Sequence, residues 1–169
     1  MRRFGLIGKT LKHSFSARYF AEKFEREGLV QECCYDLYEL SGIECVKEFM
    51  QTPDLVGFNV TIPYKQQIIP YLDGLCKEAE DIGAVNCVKR ECDGRMVGYN
   101  TDVEGVRLSL DKLLGDAVVE HALILGSGGA AQAVRYVLAE RGIAYSIVSR
   151  TKGGGDLTYE ELSADVMQK

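Results

Sequence analysis

The sequence lacks the patterns that several classes of protein require. No apolar run approaches the roughly 20 residues of a membrane-spanning helix. There are only two histidines, and the six cysteines form no C-x-x-C pair, so we expect no bound metal. The net charge is −5 and the basic residues form no block, which argues against a nucleic-acid or membrane partner.

A secretory signal is also missing from the opening residues. Glycine and lysine follow the first arginines before an apolar segment of signal-peptide length can form. We therefore expect the cysteines to be reduced and structural, as in a cytoplasmic protein. The most suitable partner for such a chain is a small molecule.

The residues that are present predict an α/β fold. With 169 residues, 46% of them apolar, the chain is long enough for one large domain or two small ones. Strands are predicted over residues 4–8, 34–38, 55–61, 84–89, 96–100, 121–125 and 144–149. Helices are predicted over 16–27, 43–50, 64–72, 101–114 and 129–141, with Thr101 and Glu104 forming a capping box. Pro70 is expected to shorten or kink the third of these helices. We expect a first domain over 1–101, a linking helix over 102–118 and part of a Rossmann-type domain over 119–169.

A glycine cluster between a predicted strand and a predicted helix indicates a dinucleotide site. It has the pattern G-x-G-x-x-A, formed by Gly126, Ser127, Gly128, Gly129, Ala130 and Ala131. Glycines let the backbone approach a pyrophosphate, and the helix N-terminus offers it free N–H groups. Alternatively, the glycines only permit close packing of the helix on the strand.

The residues after the next strand favour NADP over NAD. Ser149, Arg150 and Thr151 stand where NAD-binding proteins place an acidic residue that binds the ribose. A carboxylate would repel a 2′-phosphate, whereas the guanidinium of Arg150 can bind it with several donors. The alternative is a solvated arginine in a loop.

A lysine and an aspartate are candidates for acid–base chemistry. Lys65 and Asp102 each lie in the first turn of a predicted helix, where the dipole disfavours a further cation and favours an anion. If they meet, the lysine can transfer a proton while the aspartate orients it. They can equally be a surface lysine and an ordinary anion at a helix start.

Uncharged polar residues at strand and helix ends are candidates for binding a polyhydroxylated acid. Ser14 and Ser16 precede a helix and would suit a carboxylate, although Ser16 can simply be an N-cap. Asn59 and Thr61 alternate along a strand and so share a side, while Asn86 and Asn100 likewise lie at strand ends. These side chains can instead satisfy local turns.

The motifs together resemble the shikimate dehydrogenase family, in the family's own order. The resemblance is carried by Gly5-Leu6-Ile7-Gly8, His13-Ser14-Phe15-Ser16, Gly57-Phe58-Asn59-Val60-Thr61-Ile62-Pro63-Tyr64-Lys65, Ile82-Gly83-Ala84-Val85-Asn86 and Gly98-Tyr99-Asn100-Thr101-Asp102. It implies an N-terminal α/β substrate-binding domain followed by the first part of a Rossmann-type NADP-binding domain. It also implies that the family's polypeptide is longer than this chain.

The resemblance implies NADP-dependent, reversible reduction of 3-dehydroshikimate to shikimate in aromatic amino-acid biosynthesis. By position, Ser14 and Ser16 would hold the substrate carboxylate, and Asn59, Thr61, Asn86 and Asp102 its ring hydroxyls. Lys65 and Asp102 would be the catalytic pair. The alternatives are a fragment without turnover, a non-catalytic shikimate- or nucleotide-binding module, and a quinate/shikimate dehydrogenase that uses NAD; assembly as a homodimer is left open.

Overall fold

The protein folds into two compact units, seen in a computed structural model that describes residues 1–167. The first unit is Met1–Asn100 and the second is Thr101–Lys169, whose last two residues lie outside the described part. The helix that follows Thr101 belongs to the second unit. The division into three segments remains a prediction.

The first unit alternates strands with short helices. Its strands are β1 (Arg2–Gly8), β2 (Cys33–Glu39), β3 (Leu55–Val60), β4 (Gly74–Leu75), β5 (Cys87–Arg90) and β6 (Met96–Tyr99). Its helices are α1 (Ser16–Arg26), α2 (Val46–Phe49), α3 (Tyr64–Gln67) and α4 (Lys77–Ile82). The α/β fold predicted from the sequence is confirmed.

The six strands form one mixed sheet in the order β2-β1-β3-β5-β6-β4. β1 is parallel to both β2 and β3, whereas β5 is antiparallel to β3 and β6. Because parallel strands end at the same edge, the carboxyl ends of β1 and β3 lie side by side. The loops that carry most of the predicted substrate residues begin at this edge.

One face of this sheet carries the main core. Side chains that alternate along the central strands point to this face and are almost fully buried, among them Ile7, Phe58, Val60 and Val88. Buried residues of α2, α3 and α4 cover them, including Val46, Phe49, Tyr64, Ile68 and Ala79. The core therefore fixes the sheet and the helix that carries Lys65 as one packed body.

The opposite face is covered in part by α1 through aromatic contacts. Phe20 stacks on Tyr35 with ring centroids 4.2 Å apart and an interplanar angle of 12°. Phe24 lies 6.2 Å from Phe4, measured between centroids. The i,i+4 spacing of the two phenylalanines puts them on one side of the helix, and this side packs on β1 and β2.

Two segments are shorter than the full predicted ranges. The shortening expected at Pro70 is confirmed: the helix predicted over 64–72 ends at Gln67 and continues as a 3₁₀ turn over Ile69–Tyr71, because the proline cannot donate the next helical hydrogen bond. The strand predicted over 84–89 begins only at Cys87. Ala84 and Val85 are buried but lie outside the strand.

The second unit has a three-stranded parallel sheet with helices. Its elements are α5 (Asp102–Leu114), β7 (His121–Leu125), α6 (Gly129–Glu140), β8 (Ala144–Ser149), β9 (Leu157–Thr158) and α7 (Ala164–Met167). The sheet order is β7-β8-β9. The predicted β-α-β arrangement over residues 121–149 is confirmed, and β9 is a strand that the sequence did not indicate. No described helix is long and apolar enough to cross a bilayer.

α5 is held to α6 by ion pairs within the second unit. Arg107 donates to both carboxylate oxygens of Glu140 at 3.1 Å and also pairs with Glu104. These carboxylates raise the pKa of Arg107. Arg141, at the end of α6, forms a second pair with Asp111, so α5 and α6 are joined at two points.

The capping box predicted at Thr101 is wrong. Thr101 already has helical dihedrals, φ −79° and ψ −8°, and its side chain makes no capping hydrogen bond. A side-chain cap needs the extended conformation at that position. A capping box does form at Thr158 and Glu161, at the start of a 3₁₀ turn.

Gly57 in β3 is predicted to tolerate no side chain. A Cβ at this position would lie 2.6 Å from the carbonyl oxygen of Val88 in the neighbouring strand, so the backbones would have to separate. We expect Gly57→Ala to lower the free energy of unfolding by about 1–3 kcal/mol, measured by urea denaturation. Gly74→Ala is the control because its Cβ would meet nothing within 4 Å. Equal stability of the two variants would contradict this explanation of the glycine.

Candidate active site

The predicted substrate residues of the first unit gather around the carboxyl edge of β1 and β3. Thr61 follows β3, and its N–H donates to the carbonyl of Ile7 in β1 at 3.0 Å. A Cβ on Gly8 would lie 2.8 Å from the methyl of Thr61, so the glycine lets the two strand ends approach. This edge therefore places the end of the segment 5–8 next to the segment 57–65.

Ser14 and Ser16 form a turn at the start of α1. The backbone N–H of Ser16 donates to Oγ of Ser14 at 3.2 Å. Phe15, not Ser16, occupies the N-cap position, and no side chain caps the helix there. Ser16 is therefore the first residue of the helix rather than its cap, and both serines remain candidates for a carboxylate at this helix N-terminus.

Lys65 is held in place through its backbone and its neighbour. Its carbonyl accepts a hydrogen bond of 2.7 Å from the N–H of Val85, next to Asn86. Tyr64 is buried and donates its hydroxyl to the carbonyl of Leu40 at 2.7 Å. The short helix is thus anchored on two sides, and the half-buried Lys65 side chain extends from a rigid base.

Asn86 and Asn100 are buried polar residues beside the strand ends. Asn86 is 8% exposed, and its N–H donates to the carbonyl of Tyr99 at 3.0 Å. Asn100 donates its side-chain amide to the carbonyl of Ala84 at 3.0 Å. These bonds fix the chain immediately before the second unit begins.

Asp102 begins α5 in the second unit, two residues after Asn100. It lies in the first helical turn, where the helix dipole stabilises a carboxylate. Its side chain is half-buried. The approach of this carboxylate to Lys65 remains a prediction.

Tyr35 is a site residue that sequence reasoning missed. Its hydroxyl donates to Oδ1 of Asn59 at 2.9 Å, and a hydrogen bond from Ser16 also acts on it. Alternation along β2 places Tyr35 on the same face as Phe20 and Asn59. The alternation was visible in the sequence, but the strand order that brings β2 near β3 was not.

Burial raises the pKa of Tyr35 to about 12, against the opposing effect of the Ser16 hydrogen bond. The folded state therefore prefers the neutral phenol, whereas the unfolded chain ionises near pH 10.0. The stabilisation is fully present below pH 10 and is lost as the pH rises towards 12.

We accordingly expect the free energy of unfolding of the wild-type chain to fall between pH 10 and pH 12 more steeply than that of Tyr35→Phe. Urea denaturation at a series of alkaline pH values measures both slopes. Other tyrosines contribute equally to the two proteins and cancel in the difference. Parallel pH curves would show that Tyr35 is not buried as described.

The glycine loop of the second unit has the geometry of an anion site. Gly126 follows β7 with φ +112°, a conformation that other residues rarely adopt. Gly128 is the N-cap of α6 and provides no side-chain cap for its N–H groups. A Cβ on either glycine would meet nothing within 4 Å, so the space above the loop is open to a ligand.

The residues predicted to bind a phosphate lie at the end of β8 and directly after it. Ser149 is buried and donates its hydroxyl to the carbonyl of Thr151, which closes the turn. Arg150 is exposed and makes no ion pair among the described residues. The remaining predicted residues, Ser127, Gly129, Ala130 and Ala131, follow one another from the loop into the first turn of α6.

A cavity of about 390 Å³ lies on the α1 side of β3. Its lining is mainly apolar, with Phe4, Phe20 and Phe24 among its residues, and Asn59 is one of its polar members. Lys65 does not line it. The cavity is therefore not the centre of the predicted chemistry.

Comparison with known proteins relates both units to one family. Residues 6–88 match the family model of the shikimate dehydrogenase substrate-binding domain. The chain is 41% identical over 138 residues to the shikimate dehydrogenase (NADP(+)) of Methanocaldococcus jannaschii, covering 80% of this chain and 48% of that protein.

Solved structures agree with this relationship. The shikimate dehydrogenase of Aquifex aeolicus superposes with a TM-score of 0.80 at 37% identity, covering 91% of this chain and 57% of that one. The Thermus thermophilus enzyme in complex with NADP(H) and shikimate gives 0.77 at 34% identity, covering 91% and 58%. The chain spans about half the length of the relatives it matches.

Proposed function

Because the chain belongs to the shikimate dehydrogenase family, we propose that it provides the substrate site and the first part of the NADP site of an enzyme that interconverts 3-dehydroshikimate and shikimate. The observation that carries the proposal is the gathering of polar residues at the carboxyl edge of β1 and β3. These residues are Ser14, Ser16, Asn59, Thr61, Lys65 and Asn86. Relatives with bound shikimate and NADP(H) support the same assignment.

The substrate would be held by its carboxylate and its hydroxyls. Ser14 and Ser16 provide hydroxyl donors near the N-terminus of α1, where the helix dipole favours an anion. The side-chain amides of Asn59 and Asn86, the hydroxyl of Thr61 and the carboxylate of Asp102 would bind ring hydroxyls. Amide and hydroxyl groups with one acceptor carboxylate suit a ring of hydroxyls, since each hydroxyl can both donate and accept.

Lys65 and Asp102 would move a proton at the reacting oxygen. In reduction, the carbonyl oxygen of the substrate gains negative charge, and the Lys65 ammonium donates a proton to it. In the reverse direction the neutral amine takes the proton from the hydroxyl of shikimate. Asp102 would hold the ammonium and the same hydroxyl in line.

NADP fits the residues of the second unit. The open loop at Gly126 and Gly128 would take the pyrophosphate, and Arg150 the 2′-phosphate. When bound, the nicotinamide supplies the hydride transfer that the side chains of this chain cannot perform. We also propose a cytoplasmic location, since all six cysteines are free.

An activity assay tests the proposal directly. It uses an extended chain, defined as this chain followed by the C-terminal part of the Aquifex aeolicus relative that lies beyond the aligned region. We expect reduction of NADP when shikimate is added, measured by the absorbance of NADPH. Reduction should be slower when NAD replaces NADP and when quinate replaces shikimate. Preferred use of NAD and quinate would instead support the quinate/shikimate dehydrogenase alternative. Shikimate binding without turnover would support a non-catalytic module.

A further inference from the structure

Tyr35 lies between two of the proposed substrate residues, Asn59 and Ser16, and its hydroxyl bonds directly to the first. The phenol donates to Oδ1 of Asn59 at 2.9 Å, and the Ser16 hydroxyl acts on the phenol oxygen. Phe20 stacks on the ring at 4.2 Å and holds its plane. Tyr35 thus links the start of α1 to β3 across β1.

This contact determines which way the amide of Asn59 faces. The half-buried phenol acts as a donor, so it selects the oxygen of the amide and not its NH₂ group. The NH₂ group donates one hydrogen to the carbonyl of Asn86 at 3.4 Å, a carbonyl that already accepts from the N–H of Val60 at 2.8 Å. Among the described residues the second amide hydrogen meets no acceptor, so it remains for an oxygen of a ligand.

We propose that Tyr35 is a positioning residue that fixes the Asn59 amide so that its NH₂ group is presented to a substrate hydroxyl. This inference rests on the proposed function, because Asn59 is a substrate residue only there. Tyr35 itself acts through Asn59 and Ser16. Without its hydroxyl, Oδ1 loses its donor and the amide can rotate, so that part of the population presents an acceptor instead.

A ligand-free experiment tests the contact. Side-chain amide signals of Asn59 are followed by ¹⁵N NMR in the 169-residue chain, in Tyr35→Phe and in Tyr38→Phe. Tyr38 is the matched control because it lies in the same strand but on the other face, where its ring packs on Phe49. We expect the Asn59 amide signals to shift in Tyr35→Phe only. Unchanged Asn59 signals in a folded Tyr35→Phe protein would overturn the inference.

A binding experiment tests the consequence for the substrate. We expect Tyr35→Phe to raise the dissociation constant of shikimate about three- to tenfold, the effect of one net hydrogen bond, and Tyr38→Phe to leave it unchanged. In an Asn59→Ala background, Tyr35→Phe should have almost no further effect, because its partner is gone. A purely structural role would persist in that background and would contradict the inference.

The two proposals fail in different ways. If the wild-type chain binds shikimate but Tyr35→Phe binds it equally well, only the positioning role is wrong. If the wild-type chain shows no shikimate binding, the proposed function is wrong, and the NMR signals of Asn59 alone then decide whether Tyr35 orients that amide.

Discussion

Lys65→Ala is expected to lower the turnover number of the extended chain by about 10²- to 10⁴-fold, the usual contribution of a general acid–base group. The reason is the loss of the ammonium that would protonate the substrate oxygen. Folding should be unaffected, because the bond from Val85 uses the backbone carbonyl of residue 65 and Tyr64 still anchors the helix. Turnover is measured with shikimate and NADP at saturating concentrations, and folding by circular dichroism.

A second lysine provides the control for this experiment. Lys77 begins α4 and forms an exposed ion pair with Asp81, one helical turn away. Lys77→Ala removes the same charge from the same unit without touching the proposed site, and we expect its turnover to match the wild type. A Lys65→Ala enzyme that retained turnover within a few-fold of the wild type would exclude the proton-transfer role.

Arg150→Ala is expected to weaken the binding of NADP selectively. The KM for NADP should rise about 10- to 100-fold, while the KM for NAD changes little. Charge-assisted hydrogen bonds contribute about 1.5–3 kcal/mol, which corresponds to this range. NAD has no 2′-phosphate and so loses no contact with the guanidinium. The measurement is a pair of cofactor titrations with the extended chain at saturating shikimate.

Arg95→Ala is the matched control for the loss of an arginine. Arg95 is exposed in the β5–β6 turn and pairs with Asp93, far along the chain from the glycine loop. Its removal changes the net charge equally and should leave both KM values as they are. If Arg150→Ala raised the KM for NADP and the KM for NAD by the same factor, recognition of the 2′-phosphate by this residue would be contradicted.

Local sequence patterns predicted most of the elements because each pattern has a short-range physical cause. The short apolar runs in β1 and β3, and the glycine cluster before α6, depend on neighbours within a few positions. The shortening of the helix at residues 64–72 was predictable for the same reason, because a proline lacks the N–H that a helix needs. The structure ends this helix at Gln67, before Pro70.

Errors and omissions arose where long-range packing decides the outcome. Thr101 and Glu104 have the residue types of a capping box, but the chain enters α5 with helical dihedrals that prevent it. In the sequence Tyr35 has the pattern of an ordinary strand residue. Its contact with Asn59 follows only from the sheet order, in which β1 lies between β2 and β3. A hydrogen bond across such an arrangement has no signature in the sequence of either strand.

The site residues differ in how far local sequence defines them. Ser14 and Ser16 share one turn, and Asn59, Thr61 and Lys65 lie in one short segment, so their proximity follows from the chain itself. Asn86 joins them through the β3–β5 pairing, which no motif specifies. Asn86 was therefore assigned to the substrate site from the resemblance to a family and not from a local pattern.

In the proposed reaction, Lys65 and Asp102 act together on one substrate oxygen. A crystal structure of the extended chain with shikimate bound measures it most directly, through the distances from the Lys65 Nζ and the Asp102 carboxylate to the ligand. We predict that both groups lie within about 3.2 Å of the same shikimate hydroxyl. Bound shikimate with the two groups on separate surfaces would contradict the account.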